Sequence, residues 1–408
     1  MRNVQLLMIE VALLICVLPA RAPAEETAAT SVTVPFILDH NRMLVDVEIQ
    51  RADGTWRTVR LWVDTGNPSF YIDEALARDL GTDLSAISSN SNVPPPVGVR
   101  IGGMPLDFQG VESRVMLEPP WLFSAMHNDG NLPSTVLKRY QVVFDYPALR
   151  LTIAEPGSLQ HRGVRAPAAV NPETGIVQID AVIDGDSLSF ALDNGASYCF
   201  VDADVLERLS KRHPGLPRIT GALGCANMWG WWPPEEQSLT VMRVPEIMWG
   251  PVRLAGVGVV GVPAIAPDGP RLGAWYSRKA ARPVNGFLGP NAFKAFRVEI
   301  DYAGGAVYFE KGAEFDLFDM DLVGLTLRPE SDGSYSVLGV SSKNGKPAVE
   351  GVEPGDKLLQ VGDLKTTGAT MGPVVDALRG KPGDIRTLVL ERSGKRFTVE
   401  ANVMRFLQ

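Results

Sequence analysis

Apolar and polar positions along this chain fall into short runs. Val32 to Leu38, Met43 to Ile49 and Trp56 to Val63 are rich in valine, isoleucine and leucine, and turn residues such as Ala52-Asp53-Gly54 divide them. That pattern predicts β-strands. The third run delivers Asp64-Thr65-Gly66, a sharp turn whose glycine takes backbone angles closed to other residues. Phe70-Tyr71-Ile72-Asp73 follows, then a helical spacing from Asp73 to Leu80 with Asp73 as its N-cap. Ser88 to Pro96 is polar and proline-rich, a predicted loop. Strands are expected again at Val97 to Ile101 and around Leu106 to Val115, and Tyr140 to Tyr146 with Leu149 to Ile153 reads as a hairpin.

The same order then returns. Gly175 to Ile183 and Ser187 to Leu192 are predicted strands leading into Asp193-Asn194-Gly195, and Cys199-Phe200-Val201-Asp202 answers Phe70 to Asp73. Asp204 to Leu209 is the matching helix, strands follow near Val252 to Val262, and Phe296 to Tyr302 with Ala306 to Phe309 mirrors the earlier hairpin. Asp64 and Asp193 stand 129 residues apart, as do Asp73 and Asp202. A repeat on that scale implies two homologous lobes, since solenoid periods are about 20–50 residues. The expected lobes are 25–157 and 158–312. A third unit over 319–403 is predicted from strands at Leu322 to Leu327, Ser336 to Val340, Lys357 to Val361, Arg386 to Glu391 and Phe397 to Val399, with a helix near Met371 to Leu378. The acidic Gly312 to Asp321 stretch is the joint before it.

Composition narrows the class. The 408 residues suffice for two or three domains, and 45% hydrophobic with 21% charged residues describes a folded globular chain. Forty glycines and thirty-one prolines favour turns and short strands. A net charge of −8 without a basic tract argues against a nucleic-acid partner. The N-terminus reads as a signal peptide over 1–24: Arg2, the apolar run Val11 to Leu18, then Ala22-Pro23-Ala24. A retained anchor is the alternative, although the run is short for a membrane span. The expected location is therefore the periplasm or outside the cell, with no stable membrane span once the signal is removed. Cys199 and Cys225 remain in the mature chain. An exported compartment permits a disulfide between them, and a buried pair of free thiols is the other reading.

Aspartates at glycine turns usually cap the turn. Two at equivalent places of a repeat are different, because a pseudo-two-fold axis can bring them face to face. Carboxylates at hydrogen-bonding distance cannot both ionise cheaply, so they share a proton; one then serves as general base for water and the other as acid toward a carbonyl. The repeated Asp-x-Gly turns, the helix after each, Phe287-Leu288-Gly289 and the closing aspartate-tyrosine hairpins resemble the retropepsin-type aspartic proteases, here as a pepsin-like fusion of two lobes over about Ser31 to Lys311. The resemblance implies a mostly β, bilobal acid-protease-like β-barrel pair with Asp64 and Asp193 as catalytic dyad and Thr65, Gly66, Asn194 and Gly195 as active-site turns. It implies no cofactor and a protein or peptide substrate. Three departures stand out: Asn194 where the family has threonine or serine, Asn131-Leu132-Pro133 where a hydrophobic-hydrophobic-glycine element belongs, and no room for a flap in lobe one. Between Leu209 and Val252 lobe two has room for one, and Trp229, Trp231, Trp232 and Trp249 make it a candidate aromatic lid over substrate, with packing between the lobes as the alternative. A Cys199–Cys225 bridge would tie its base to the second turn.

Gly351 to Gly362, Ala377 to Gly383 and the strand Thr387 to Arg392 resemble the PDZ family. The resemblance implies recognition of a ligand peptide by strand addition, with residues Gly324, Leu325, Thr326 and Leu327 in the carboxylate-binding loop. A rigid accessory module without a free ligand is the alternative. None of the four histidines has metal-ligand spacing, so no metal is expected, and no G-x-S-x-G elbow, P-loop or dinucleotide fingerprint occurs. The sequence therefore predicts an exported, monomeric aspartic endopeptidase with a PDZ module. A catalytically inactive protease-like scaffold that binds peptides is the rival.

Overall fold

The computed structural model describes residues 30–407 apart from 86, 117–126, 221–223, 226–238, 264–271 and 344–345. The signal segment and Trp229, Trp231 and Trp232 lie outside the described residues. No helix among the described residues is long and apolar enough to cross a membrane.

The chain is mostly β, and its large sheets follow the repeat. A six-stranded sheet joins the halves. Ser31–Pro35, Arg150–Ala154 and Gln141–Asp145 come from one, and Phe296–Asp301, Ala306–Lys311 and Val164–Pro167 from the other. At its centre the two mirrored strands pair antiparallel, Gln141 opposite Asp301 and Asp145 opposite Arg297. The buried Glu299 carboxylate accepts from Gln141 Nε2 across that seam at 2.6 Å.

Each half then has its own sheet. In the first, Trp56–Asp64 lies between Arg42–Gln50, antiparallel, and Gly130–Pro133, parallel, with Pro133 beside Asp64. In the second, Asp186–Leu192 lies between Val177–Ile183, antiparallel, and Gly286–Leu288, parallel, with Leu288 beside Leu192. Gly130–Pro133 and Gly286–Leu288 also pair antiparallel with the strands Phe70–Asp73 and Cys199–Asp202, and there the glycines leave no room for side chains. A Cβ on Gly130 would stand 2.2 Å from the Tyr71 carbonyl oxygen, and one on Gly286 2.0 Å from that of Phe200. Tyr71 and Phe200 are again 129 residues apart, so the same contact is built twice. One continuous apolar core, from Phe36 to Phe309, runs beneath both halves.

Asp73 caps the helix Glu74–Asp79 through the Leu76 amide at 2.7 Å, and the second helix runs longer than expected, Ala203–Arg212. The strand expected around 106–115 is confined to Ser113–Met116. A larger difference concerns the tryptophan-rich stretch. Part of it is the strand Thr240–Trp249, which forms a long hairpin with Val252–Val262. Pro245 disguises it in the sequence: the pairing passes from Val244–Val257 to Glu246–Ala255, Pro245 is exposed, and Gly256 takes φ +61°. Trp249 is core rather than lid. It is fully buried, donates to the Pro167 carbonyl at 2.8 Å and meets Phe309 edge-on.

The C-terminal sheet orders Leu325–Pro329, Tyr335–Val340, Lys357–Val361, Ile385–Arg392 and Lys395–Asn402 side by side, with the helix Met371–Leu378 beyond. Its first strand takes a partner from far away: Gly224–Cys225 pairs parallel with it, Gly224 opposite Thr326 and Cys225 opposite Leu327. Met320, Phe406 and Leu407 share an apolar cluster with Tyr276, Phe287 and Val260 of the second half. Arg243 seals that seam with an ion pair to Asp319 at 2.8 Å.

Candidate active site

The two Asp-x-Gly turns meet. A methyl group placed on Gly66 would stand 2.3 Å from Asp193 Cγ, and one on Gly195 would stand 2.6 Å from Asp64 Cγ. Each glycine is thus required by the opposite carboxyl group, and the pseudo-two-fold relation of the turns holds at their tips. Both aspartates are buried. Asp64 Oδ1 accepts from the Gly66 amide at 3.1 Å. Asp193 Oδ1 accepts from the amides of Gly195 at 2.8 Å and Ala196 at 3.2 Å.

Thr65 braces the opposite half. Its hydroxyl donates to the Leu192 carbonyl at 3.0 Å and accepts from the Asn194 amide at 2.9 Å. The brace is one-sided, because the Asn194 side-chain nitrogen is buried without a hydrogen-bond partner. A threonine would place a hydroxyl there; the longer amide reaches no equivalent carbonyl. Pro133 leaves the first turn supported differently from the second. The Ser134 amide donates to the Asn67 carbonyl at 2.9 Å, and Asn131 Oδ1 accepts from the Tyr71 amide at 2.6 Å, whereas in the second half the Asp193 amide donates to Leu288.

Two side chains that the repeat pattern does not reveal approach the pair from the segment around the helix Leu272–Ser277. The Tyr276 hydroxyl donates to Asp193 Oδ2, and Lys279 lies within electrostatic reach of both carboxyls. Asp202 explains how this segment is held. Its repeat partner Asp73 caps a helix, but Asp202 makes no such cap and instead accepts from the Gly273 amide at 3.0 Å. On the other side, the hairpin turn His40-Asn41 reaches the second Asp-x-Gly turn. Asn41 Nδ2 donates to the Ser197 carbonyl at 2.8 Å, and Arg42 Nε to the Gly195 carbonyl at 3.2 Å. Arg42 is fully buried and its other arm reaches Met371 Sδ at 3.9 Å. Asp39, beside it, accepts from the Gly372 amide at 2.8 Å and the Thr370 hydroxyl at 2.7 Å.

Burial above all, and then the charge of Asp193, pushes the Asp64 carboxyl up to about 8; the Trp62 indole and the Gly66 amide act against that shift. Burial raises Asp193 as well, opposed first by the Tyr276 hydroxyl, then by the Gly195 and Ala196 amides and by Arg42. The donors are unequally shared, so the pair is electrostatically asymmetric. Burial lowers the Lys279 ammonium, and the two aspartates pull it back up. Two carboxyls in contact cannot both ionise cheaply, so such a pair shares a proton, the arrangement that acid–base attack by water requires.

The remaining expected residues lie elsewhere. Cys199 is a free, buried thiol, so the Cys199–Cys225 bridge is not formed. Its sulfur faces Asn291 Oδ1 at 3.2 Å and accepts from the Gly289 amide at 3.3 Å, and burial pushes the thiol up to about 12. Cys225 belongs to the strand that pairs with the C-terminal sheet. Gly324, Leu325, Thr326 and Leu327 are buried rather than an open loop. A Cβ on Gly324 would stand 2.7 Å from Ala348 Cβ and 2.8 Å from Phe406 Cζ, so the chain's own C-terminus covers the position. Asp73, His127 and Asp129 lie close enough together to share a cation. The Arg57 guanidinium already pairs with Asp129 at 2.5 Å, and Asp73 is engaged in its cap.

No protein-family model matches the chain, and no curated protein does. Among solved structures it is similar to an aspartic proteinase from Irpex lacteus. The two share 13% sequence identity and a TM-score of 0.40, over 70% of this chain and 98% of that one. Nothing about the site follows from so loose an overlap.

Proposed function

We propose that this chain is an exported aspartic-type endopeptidase in which Asp64 and Asp193 activate a water molecule. The observation that carries the reading is the mutual contact of the turns, each glycine yielding its side-chain space to the opposite carboxyl. The ionised aspartate takes a proton from water while the water oxygen bonds to the peptide carbonyl carbon, and the protonated aspartate gives its proton to the carbonyl oxygen. In the second step the first aspartate passes its proton to the amide nitrogen as the C–N bond breaks. A hydroxyl of the intermediate returns a proton to the second aspartate, and the pair is restored. No covalent enzyme intermediate or metal is needed.

The C-terminal unit is, in the same proposal, a PDZ-like module. Its peptide-accepting edge is the strand Leu325–Pro329 facing the helix Met371–Leu378, and Gly224–Cys225 of the same chain pairs with that edge. This favours a docked brace over a free peptide receptor.

The test is cleavage of a peptide library by protein lacking residues 1–24, from pH 3 to 8, beside Asp64→Asn and Asp193→Asn. Loss of cleavage in either variant, with folding intact, supports the dyad; cleavage that survives both rejects it. The rival is a peptide-binding scaffold that does not cut, favoured by the unpartnered Asn194 amide. Peptide binding with no turnover at any pH would establish it.

A further inference from the structure

We propose that Tyr276 is a positioning residue that assigns unequal roles to the acid pair, fixing Asp193 as the ionised base and leaving the shared proton to Asp64. This rests on the peptidase reading above. The hydrogen bonds carry it. Asp193 receives three donors, the amides of Gly195 and Ala196 on Oδ1 and the Tyr276 hydroxyl on Oδ2. Asp64 receives the Gly66 amide and faces the Trp62 indole. Donors to a carboxylate favour its anion, so the proton of the pair resides on the less-supplied partner, Asp64.

The segment bearing Tyr276 and Lys279 is locked in place. Gly273 packs so tightly that a Cβ would stand 2.3 Å from the Val284 carbonyl oxygen and 2.7 Å from Asp202 Oδ2. The Tyr276 carbonyl accepts from the Lys279 amide at 2.8 Å and the Ala280 amide at 2.9 Å. The Lys279 carbonyl accepts from Thr174 Oγ1 at 2.6 Å and Asn171 Nδ2 at 3.0 Å. The Tyr276 ring is buried 5.1 Å from that of Phe287. This packing carries its hydroxyl to Asp193 Oδ2. Asp202 has given up the helix cap of its repeat partner to hold this segment.

Among the described residues, several charged or titratable groups face the pair and enter the expected pH response. Asp193 faces Asp64, Tyr276, Arg42, Lys279 and Tyr146. Asp64 faces Asp193, Tyr276, Lys279 and Tyr71, and Lys279 also faces Glu112 and Arg114. Arg42 and the turn amides remain when Tyr276 loses its hydroxyl, so the change isolates one donor.

The experiment is a pH profile of kcat and KM for Tyr276→Phe beside wild type in the mature protein. Removing a donor from the ionised aspartate moves the acid limb of Tyr276→Phe upward by about one pH unit, a loss of about tenfold in kcat on that limb with KM within about twofold. Profiles that keep the wild-type shape and differ only by a scale factor overturn the proposal. Carboxyl-carbon NMR titration of protein labelled at the aspartate carboxyl, assigned with Asp64→Asn and Asp193→Asn, reads the same bias without turnover. If the wild type cuts no peptide, the peptidase reading fails by itself. An Asp193 titration unmoved by Tyr276→Phe then sinks the positioning role separately.

Discussion

At the scale of single residues, the acid pair is assembled from groups that would each be unremarkable elsewhere. Asn194 shows what the arrangement leaves incomplete. Its side-chain nitrogen is buried and unpartnered, and such a group costs about 1–3 kcal/mol. Asn194→Thr removes that group and supplies a hydroxyl able to mirror the Thr65 brace, so we expect a gain of about 1 kcal/mol in urea unfolding. Thr65→Ala, which breaks two hydrogen bonds across the halves, should lose about 1–3 kcal/mol, with Thr65→Ser retaining most of the stability. Asp64 adds a pH dependence of definite sign. Its carboxyl is raised by burial to about 8, so the folded chain holds that proton after the unfolded chain has released it. Stability is full below the unfolded value near 4 and declines as pH rises toward 8. Asp64→Asn carries no such charge. The stability difference between Asp64→Asn and wild type should therefore grow steadily from pH 4 to 8, and a constant difference would contradict the shift.

At the scale of elements, the repeat is most exact where antiparallel neighbours lie too close for side chains. Gly130 and Gly286 occupy the same place in the two halves and meet the carbonyls of Tyr71 and Phe200. Gly286→Ala cannot be accommodated without moving a parallel strand that runs beside Asp193's own. It should cost more than about 3 kcal/mol, measurable as a lowered denaturant midpoint. The edge strand Leu325–Pro329 offers a different prediction. Its outer side is paired by Gly224–Cys225, whose direction is parallel. Gly224→Pro removes a backbone donor from that pairing strand. Hydrogen exchange at the amides of 325–329 should then accelerate, and unchanged exchange would show that the pairing contributes nothing to the edge's protection.

At the scale of the whole molecule, the C-terminal unit is built into the site rather than tethered beside it. Arg42 spans from the Gly195 carbonyl to Met371, and Asp39 binds the first turn of the Met371–Leu378 helix. Met320, Phe406 and Leu407 complete an apolar cluster that includes Tyr276. Truncation after Lys311 exposes this cluster and strips Arg243 of Asp319. The shortened protein should aggregate in light scattering or lose cleavage even though both aspartates remain. A truncated chain that is monomeric and fully active would refute the integral role. Because one chain supplies both turns, the intact protein has no need of a second copy to complete the pair.

What the sequence by itself determined is what depends on local period and on duplicated spacing. Most strands, both helices after the turns, the helix Met371–Leu378 and the pairing of Asp64 with Asp193 all follow from residues near in sequence or from the constant 129-residue offset. Where local chemistry is ambiguous, a cause is visible: Pro245 hides the strand Thr240–Trp249, and between lid and core packing for Trp249 only the fold decides, its indole finding a carbonyl in the core. Only the tertiary structure decided which distant surfaces meet. Tyr276 reaches Asp193 from 83 residues away with no counterpart in the repeat to betray it. Cys199 is sealed as a free thiol against Gly289 and Asn291, and a segment at 224–225 closes the edge of a sheet a hundred residues later. Those contacts are chosen by the packing of apolar faces whose partners have no fixed spacing along the chain, and local sequence carries no record of that choice.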